Sequence, residues 1–315
     1  MVSAALLATI AVGCLVAAAR LRKATWPTRG PHVAVVVWQA LGLACGAATI
    51  GSLLAFGLAP YEAGVYGGVL AFAQDTMDHG LQVSALSATP FGATRVVAVI
   101  AAVGLALLLF WGLVTSFIHV LRTRRRHHDL LRLVARDDPE VPGARVLDHP
   151  AAAAYCLPGM LRSQVVVSAG ALEVLDRYEL AAVLAHEHAH LRQRHDLVLL
   201  PFSSLKRAFP RLRSIETAYD SVALLIEMCA DDHARRERSP KELAMALMRF
   251  GTAGTATVPA GALAAAAPVD QPEVVTRVSR LLNPAAALSW RATLAVLTAA
   301  VALLSGTLAL WHLPI

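Results

Sequence analysis

The sequence predicts a mostly helical α+β membrane protein: four transmembrane helices, with one compact folded segment inserted before the last. Three observations predict it. Hydrophobic residues fill 57% of the 315 positions and charged residues only 16%, a balance that soluble domains do not show. Four apolar runs approach or exceed the roughly 18–20 residues that a helix needs to cross bilayer hydrocarbon. Between Leu130 and Pro284 those blocks give way to mixed patterning, with turns at DDPEVPG and CLPG and a β-branched run, SQVVVS, as a compact α+β insert would show.

The runs cover residues 2–19, 33–58, 96–120 and 292–311. The first resembles a signal peptide, but its basic cluster follows the apolar run instead of preceding it, so an anchor is expected. Between the first two runs, RLRKATWPTRG carries Arg20, Arg22, Lys23 and Arg29 and no acid, which places this loop in the cytoplasm by the positive-inside rule. The loop 59–94 carries Glu62, Asp75 and Asp78 without lysine or arginine and is expected outside; no function is legible in it. LRTRRRHHD, with Arg122, Arg124, Arg125 and Arg126, returns the chain to the cytoplasm. The expected organisation is therefore residues 1–121 with three spans, a cytoplasmic domain at 122–291, and a fourth span at 292–315, both termini lying outside. Arginine-rich, alanine-rich composition suggests a bacterial source and hence the bacterial inner membrane. Gln39, inside the second run, is expected to hydrogen-bond between helices.

The net charge of +6 comes from basic residues flanking the apolar runs. They show no aromatic interleaving and no nucleic-acid reading motif, so direct nucleic-acid binding is not expected. Cys14, Cys45, Cys156 and Cys229 lack CxxC spacing and are expected to act as small buried hydrophobes.

Asp176 followed three residues later by Glu179 has the form of a capping box, so a helix should start near Arg177. Leu180, Val183, Leu184 and Leu191 give it a buried face. On that helix His186 and His190 stand one turn apart and can reach one ion. With Glu187 they form HExxH, in which two neutral imidazoles bind zinc and the carboxylate can take a proton from an attacking water. His188 and His195 project to the opposite side if the helix stays regular, and are expected to pack or hydrogen-bond. The metzincin continuation is excluded, because Gln193 and Asp196 stand where glycine and histidine would be needed. The third ligand must come from elsewhere. YDSVALLIEMCADDHA reads as a second amphipathic helix, on which apolar neighbours make an unanswered carboxylate at Glu227 costly. Glu227 is the expected third ligand, with Asp220 in reserve. Asp231, one turn on, is placed to accept a hydrogen bond from a ligating imidazole.

With those residues and the passage AYCLPGMLRSQVVVSAGALEVLDRYELAAVLAHEHAHLRQRHDL, the chain resembles the BlaR/MecR type of integral-membrane zinc peptidases and, more distantly, HtpX-type gluzincins. The resemblance implies a gluzincin-like peptidase domain before the last span. It implies Zn²⁺ on His186, His190 and Glu227, with Glu187 as the base. It also implies that Gln164, Val165, Val166 and Val167 form an edge strand bordering the substrate cleft, where an extended peptide could add by strand pairing. The antibiotic sensors continue after their last span into a penicillin-binding domain; the sequence ends at Ile315, so β-lactam sensing through such a domain is not expected.

The expected activity is zinc-dependent cleavage of a protein substrate on the cytoplasmic side, in signalling that inactivates a BlaI/MecI-type repressor. Quality control of membrane proteins, as in HtpX-like proteases, is the alternative within the same chemistry. A catalytically idle zinc-binding receptor or scaffold is the alternative outside it. GTAGTATVPAGALAAAAPVD, Gly251 to Asp270, is low in complexity and is expected to be a mobile loop. The donor that would stabilise an oxyanion is not assigned.

Overall fold

A computed structural model describes residues 1–79, 91–137, 143–157, 164–252, 263–264 and 271–313. The chain divides into two units, one formed by Met1–Trp111 with Leu288–Ile315 and the other by Gly112–Ala287.

The first unit holds α1 (Val2–Lys23), α2 (Pro31–Gly57), α3 (Gly64–His79), the start of α4 (Gly92–Val134), and α11 (Trp290–Ala309). Among the described residues, four helices are long and apolar enough to cross a membrane: α1, α2, the stretch Gly92–Leu131 of α4, and α11. Leu7, Ala48, Ala55, Leu58 and Ala102 form the unit's interior. Leu15, Phe110, Trp111 and Val301, by contrast, expose more than half their surface, which suits side chains solvated by lipid. Pro31 opens α2 at a position where its missing N–H is not needed, and the Ser289 hydroxyl accepts from the Ala292 N–H to cap α11.

The structure adds two features to the sequence reading here. The loop 59–94 contains α3, whose Asp75 accepts a 2.8 Å hydrogen bond from Tyr61. The helix that carries the third apolar run does not end with it: it continues through LRTRRRHHD as one helix of 43 residues, about 65 Å at 1.5 Å per residue. The reason is local: arginine and leucine are good helix formers, and no Gly or Pro interrupts them.

In the second unit, β1 (Ala135–Asp137), β2 (Ala144–Leu147), β3 (Ala154–Leu157), β4 (Gln164–Ser168) and β5 (Leu263–Ala264) form one sheet in the order β1-β2-β4-β3-β5. After α5 (Ala169–Val174) come α6 (Arg177–Arg192), α7 (His195–Ala208), α8 (Arg213–Ala234), α9 (Pro240–Thr252) and α10 (Gln271–Leu282). Helix α6 is held on two sides. Val183 joins the cluster formed with Val146, Val165, Val167 and Phe250, while Ala182 and Ala185 pack with Ala234, Leu243, Leu247 and Leu281.

The expectation that Gln164–Val167 is an edge strand is corrected by the pairing. Strand β4 is interior: β2 runs parallel on one side, Val165 opposite Ala144, and β3 antiparallel on the other, Val165 opposite Cys156. The physical reason is that β2 and β3 take up the backbone hydrogen bonds on its two sides; Val165, Val166 and Val167 are all buried, as in a strand covered on both faces. Val165 and Val167 face the α6 side, while Val166 packs with Leu131, Tyr155 and Leu157 on the other. Among the described residues, Val165, Val166 and Val167 are paired on both sides, which leaves them no free edge for a peptide.

The turn at DDPEVPG and the CLPG turn lie largely outside the described residues. So does most of Gly251–Asp270, apart from Leu263–Ala264, which pairs with β3.

Candidate metal centre

Helix α6 begins where its capping box predicts. The Asp176 carboxylate accepts from the N–H groups of Tyr178 and Glu179, at 2.8 and 2.9 Å, and Glu179 accepts from the Asp176 N–H at 2.9 Å. That start fixes the register of the residues that follow. His186, Glu187 and His190 are all fully buried, while His188 faces solvent with its Nδ1 2.7 Å from the Leu184 carbonyl.

Helix α8 brings Glu227 to this face. Glu227 Oε2 lies 3.2 Å from His186 Nε2, Oε1 lies 3.5 Å from His190 Nε2, and the two Nε2 atoms are 3.1 Å apart. Each residue offers one ligand atom to the cluster. Two imidazoles and a carboxylate at mutual separations of 3.1–3.5 Å match the edge of a tetrahedral zinc shell, about 3.3 Å for bonds of about 2.0–2.1 Å. Glu227 keeps 17% of its side chain exposed, so the cluster reaches solvent on the carboxylate side.

Asp231 lies where the sequence places it, with Oδ1 3.0 Å from His186 Nδ1. An ionised carboxylate only accepts, so Nδ1 carries the proton and Nε2 is left as a lone pair for a metal. Asp220, the reserve candidate, is not brought to the cluster: half exposed, it stands 3.6 Å from Lys206 Nζ.

Arg277, which sequence reasoning did not single out, is the third layer of the site. From α10 its Nε and Nη2 donate to Asp231 at 2.9 and 2.7 Å, and its Nη1 stands 3.0 Å from Glu227 Oε2. It is fully buried. Only the apolar spacing of QPEVVTRVSRLL, with an arginine on the inner face, could have pointed to it. His195 was also misplaced. Helix α6 ends at Arg192, Arg194 adopts a left-handed conformation with φ of 50°, and α7 starts at His195. The turn brings His195 back, Nδ1 to Nδ1, at 2.9 Å from His190.

The electrostatics favour a cation. Burial opposes the charge of Glu227, yet His190 and Arg277 outweigh it and hold the carboxyl well below its ordinary range. Asp231 is held at about 2 against the same penalty, by Arg277 and His186. Burial likewise opposes protonation of His186, but its hydrogen bonds with Asp231 and Glu227 raise its pKa to about 9. Arg277, disfavoured by burial, is pushed up by Asp231, Glu227 and Glu187. Asp231 and Glu227 thus share the one guanidinium of Arg277. Carboxylates that outnumber the fixed cation in a largely buried site fit a divalent metal. Glu187 also accepts a hydrogen bond from the Cys156 thiol of β3, which, together with burial, raises the thiol's pKa.

Residues 120–212 match the model of peptidase family M48. No curated protein and no solved structure matches the chain. The match covers α6 with its HExxH but ends before Glu227, Asp231 and Arg277. Together with the four apolar helices and the His186/His190/Glu227 cluster, it supports a membrane metallopeptidase.

Proposed function

We propose that the protein is a membrane-embedded zinc endopeptidase that hydrolyses a protein substrate on the cytoplasmic side of a bacterial inner membrane. The observation that carries this reading is the meeting of the His186 and His190 Nε2 atoms with the Glu227 carboxylate at 3.1–3.5 Å, next to a buried Glu187. His186, His190 and Glu227 would hold the ion, and Asp231 orients His186. Zinc bound there would polarise a scissile carbonyl and acidify a water molecule. Glu187 takes the proton as the water oxygen bonds to the carbonyl carbon, then delivers it to the amide nitrogen as the C–N bond breaks.

The cytoplasmic placement rests on Arg20, Arg22, Lys23 and Arg29 in one loop and Arg122, Arg124, Arg125 and Arg126 after the third apolar run. The resemblance to BlaR/MecR-type peptidases supports a BlaI/MecI-type transcriptional repressor as the substrate, with the spans passing the signal that starts cleavage.

The test compares the purified full-length protein with Glu187→Gln. The parent should degrade casein or cleave itself, and the variant should lose about 10²–10⁴-fold in rate while keeping its zinc. A parent that binds zinc but cleaves nothing points to an idle receptor or scaffold. In cells carrying the variant, accumulation of an intact repressor supports signalling, whereas accumulation of damaged membrane proteins moves the assignment to quality control of the HtpX type.

A further inference from the structure

We propose that His195 is a positioning residue for the metal site: with Gln193, it sets the tautomer of His190 and so makes His190 Nε2 a ligand. The inference rests on the metal-centre reading above and adds a role for two residues outside the HExxH motif.

Hydrogen-bond bookkeeping along three side chains gives the direction. His195 Nε2 lies 3.1 Å from Gln193 Oε1. An amide oxygen can only accept, so His195 Nε2 carries the proton. In a neutral imidazole the other nitrogen is then an acceptor, and His195 Nδ1 presents a lone pair. Its partner at 2.9 Å is His190 Nδ1, and two ring nitrogens at that distance share one proton. It must come from His190. With Nδ1–H fixed, His190 Nε2 is left as a lone pair aimed at His186 Nε2 and Glu227, 3.1 and 3.5 Å away.

His186 reaches the same state by a different device, with a carboxylate on its Nδ1 at 3.0 Å. With a metal bound, both Nε2 atoms would serve as lone-pair donors, and the 3.1 Å between them is the spacing of two ligands on one cation. The two histidines are thus held in the ligating tautomer by unlike partners, an acid for one and a neutral imidazole for the other. A neutral partner adds no negative charge to a site that already holds Glu227 and Asp231.

The backbone is built for this contact. Without a break, helical geometry would carry position 195 about 140° around from position 190. The left-handed Arg194, φ 50°, ends the helix and turns the ring back. His190 is fully buried and His195 is 4% exposed, so water does not substitute freely for either. Asp196, the next residue, is clamped by Arg124 at 2.9 Å, which holds the start of α7 in place.

The test measures zinc affinity of the full-length chain by competition with a chelator, independently of any cleavage. His195→Phe keeps the ring's bulk without the acceptor and should bind zinc about 10- to 100-fold more weakly, the usual cost of removing a ligand's hydrogen-bond partner. His195→Asn places an amide oxygen where Nδ1 stands and should recover most of the loss. Gln193→Met alters a side chain near the surface, so it tests the relay even if substitution at 195 prevents folding; it should shift affinity in the same direction by a smaller factor. In metal-free protein labelled with ¹⁵N-histidine, His190 should show a protonated Nδ1. The proposal is overturned if His195→Phe, or Gln193→Met where the former does not fold, binds zinc as tightly as the parent, or if His190 carries its proton on Nε2. Tight zinc binding without peptidase activity would sink the proposed function and leave this inference standing.

Discussion

Arg277 grips Asp231 with two parallel hydrogen bonds, 2.9 Å to Oδ2 and 2.7 Å to Oδ1, across 46 residues of sequence. The same guanidinium stands 3.0 Å from Glu227, so one buried cation tethers both the residue that orients His186 and the expected third ligand. A lysine could not reproduce this planar fork.

Arg277→Met should therefore be among the most damaging single changes. It leaves two carboxylates without their partner in a dry site, where breaking a buried ion pair costs about 3–5 kcal/mol. Thermal unfolding of the metal-free protein in detergent should show the loss, and Arg277→Lys should recover only part of it.

The pH dependence follows from Asp231. Its folded pKa is depressed to about 2, against about 3.9 unfolded. A depressed acid contributes stability that is fully present above the unfolded value and is lost as pH falls through the folded one. Metal-free protein should thus lose about 2 kcal/mol from this group between about pH 4 and pH 2. Asp231→Asn, less stable at neutral pH, should show a shallower decline over that window when thermal midpoints are followed against pH. An equal slope in both proteins would contradict the assigned ion pair.

Arg194 holds a left-handed conformation, φ 50°, which costs a non-glycine residue about 1 kcal/mol. Arg194→Gly should leave the thermal midpoint unchanged or raise it, while the β-branched Arg194→Val should lower it and weaken zinc binding through His195. If the two variants behave alike, the turn does not carry strain.

Asp220 supplies the control. Half exposed and 3.6 Å from Lys206, it belongs to a solvent-screened pair, and Asp220→Asn should shift stability by less than about 0.5 kcal/mol. Zinc content should be that of the parent.

What the sequence discloses follows the range of the interactions involved. The capping box at Asp176 and Glu179, and the one-turn spacing of His186 and His190, are local and can be read from a dozen residues. Glu227 and Asp231 were accessible because a carboxylate amid apolar neighbours needs a partner, and because both fall on one helical face. Arg277 was hidden because its partners are distant in sequence and a basic residue on an amphipathic helix ordinarily faces water. His195 hydrogen-bonds as expected, but its side was set by helical periodicity carried through Arg194, where neither Gly nor Pro announces a break. Strand β4 was misassigned as an edge because its three consecutive valines signal cover on both faces but not the ladder partners β2 and β3. The continuation of α4 beyond the third apolar run was not legible because hydropathy ends where the arginines begin, whereas helix propensity does not.

The most direct test of the account is the zinc content of full-length protein purified without added chelator and of Glu227→Ala prepared alongside it. The account predicts one tightly held zinc ion per parent chain, and a variant that loses its metal to a chelator concentration the parent resists. A parent that remains empty after incubation with zinc, or a variant that holds the metal as firmly as the parent, would contradict the claim that His186, His190 and Glu227 form one metal site.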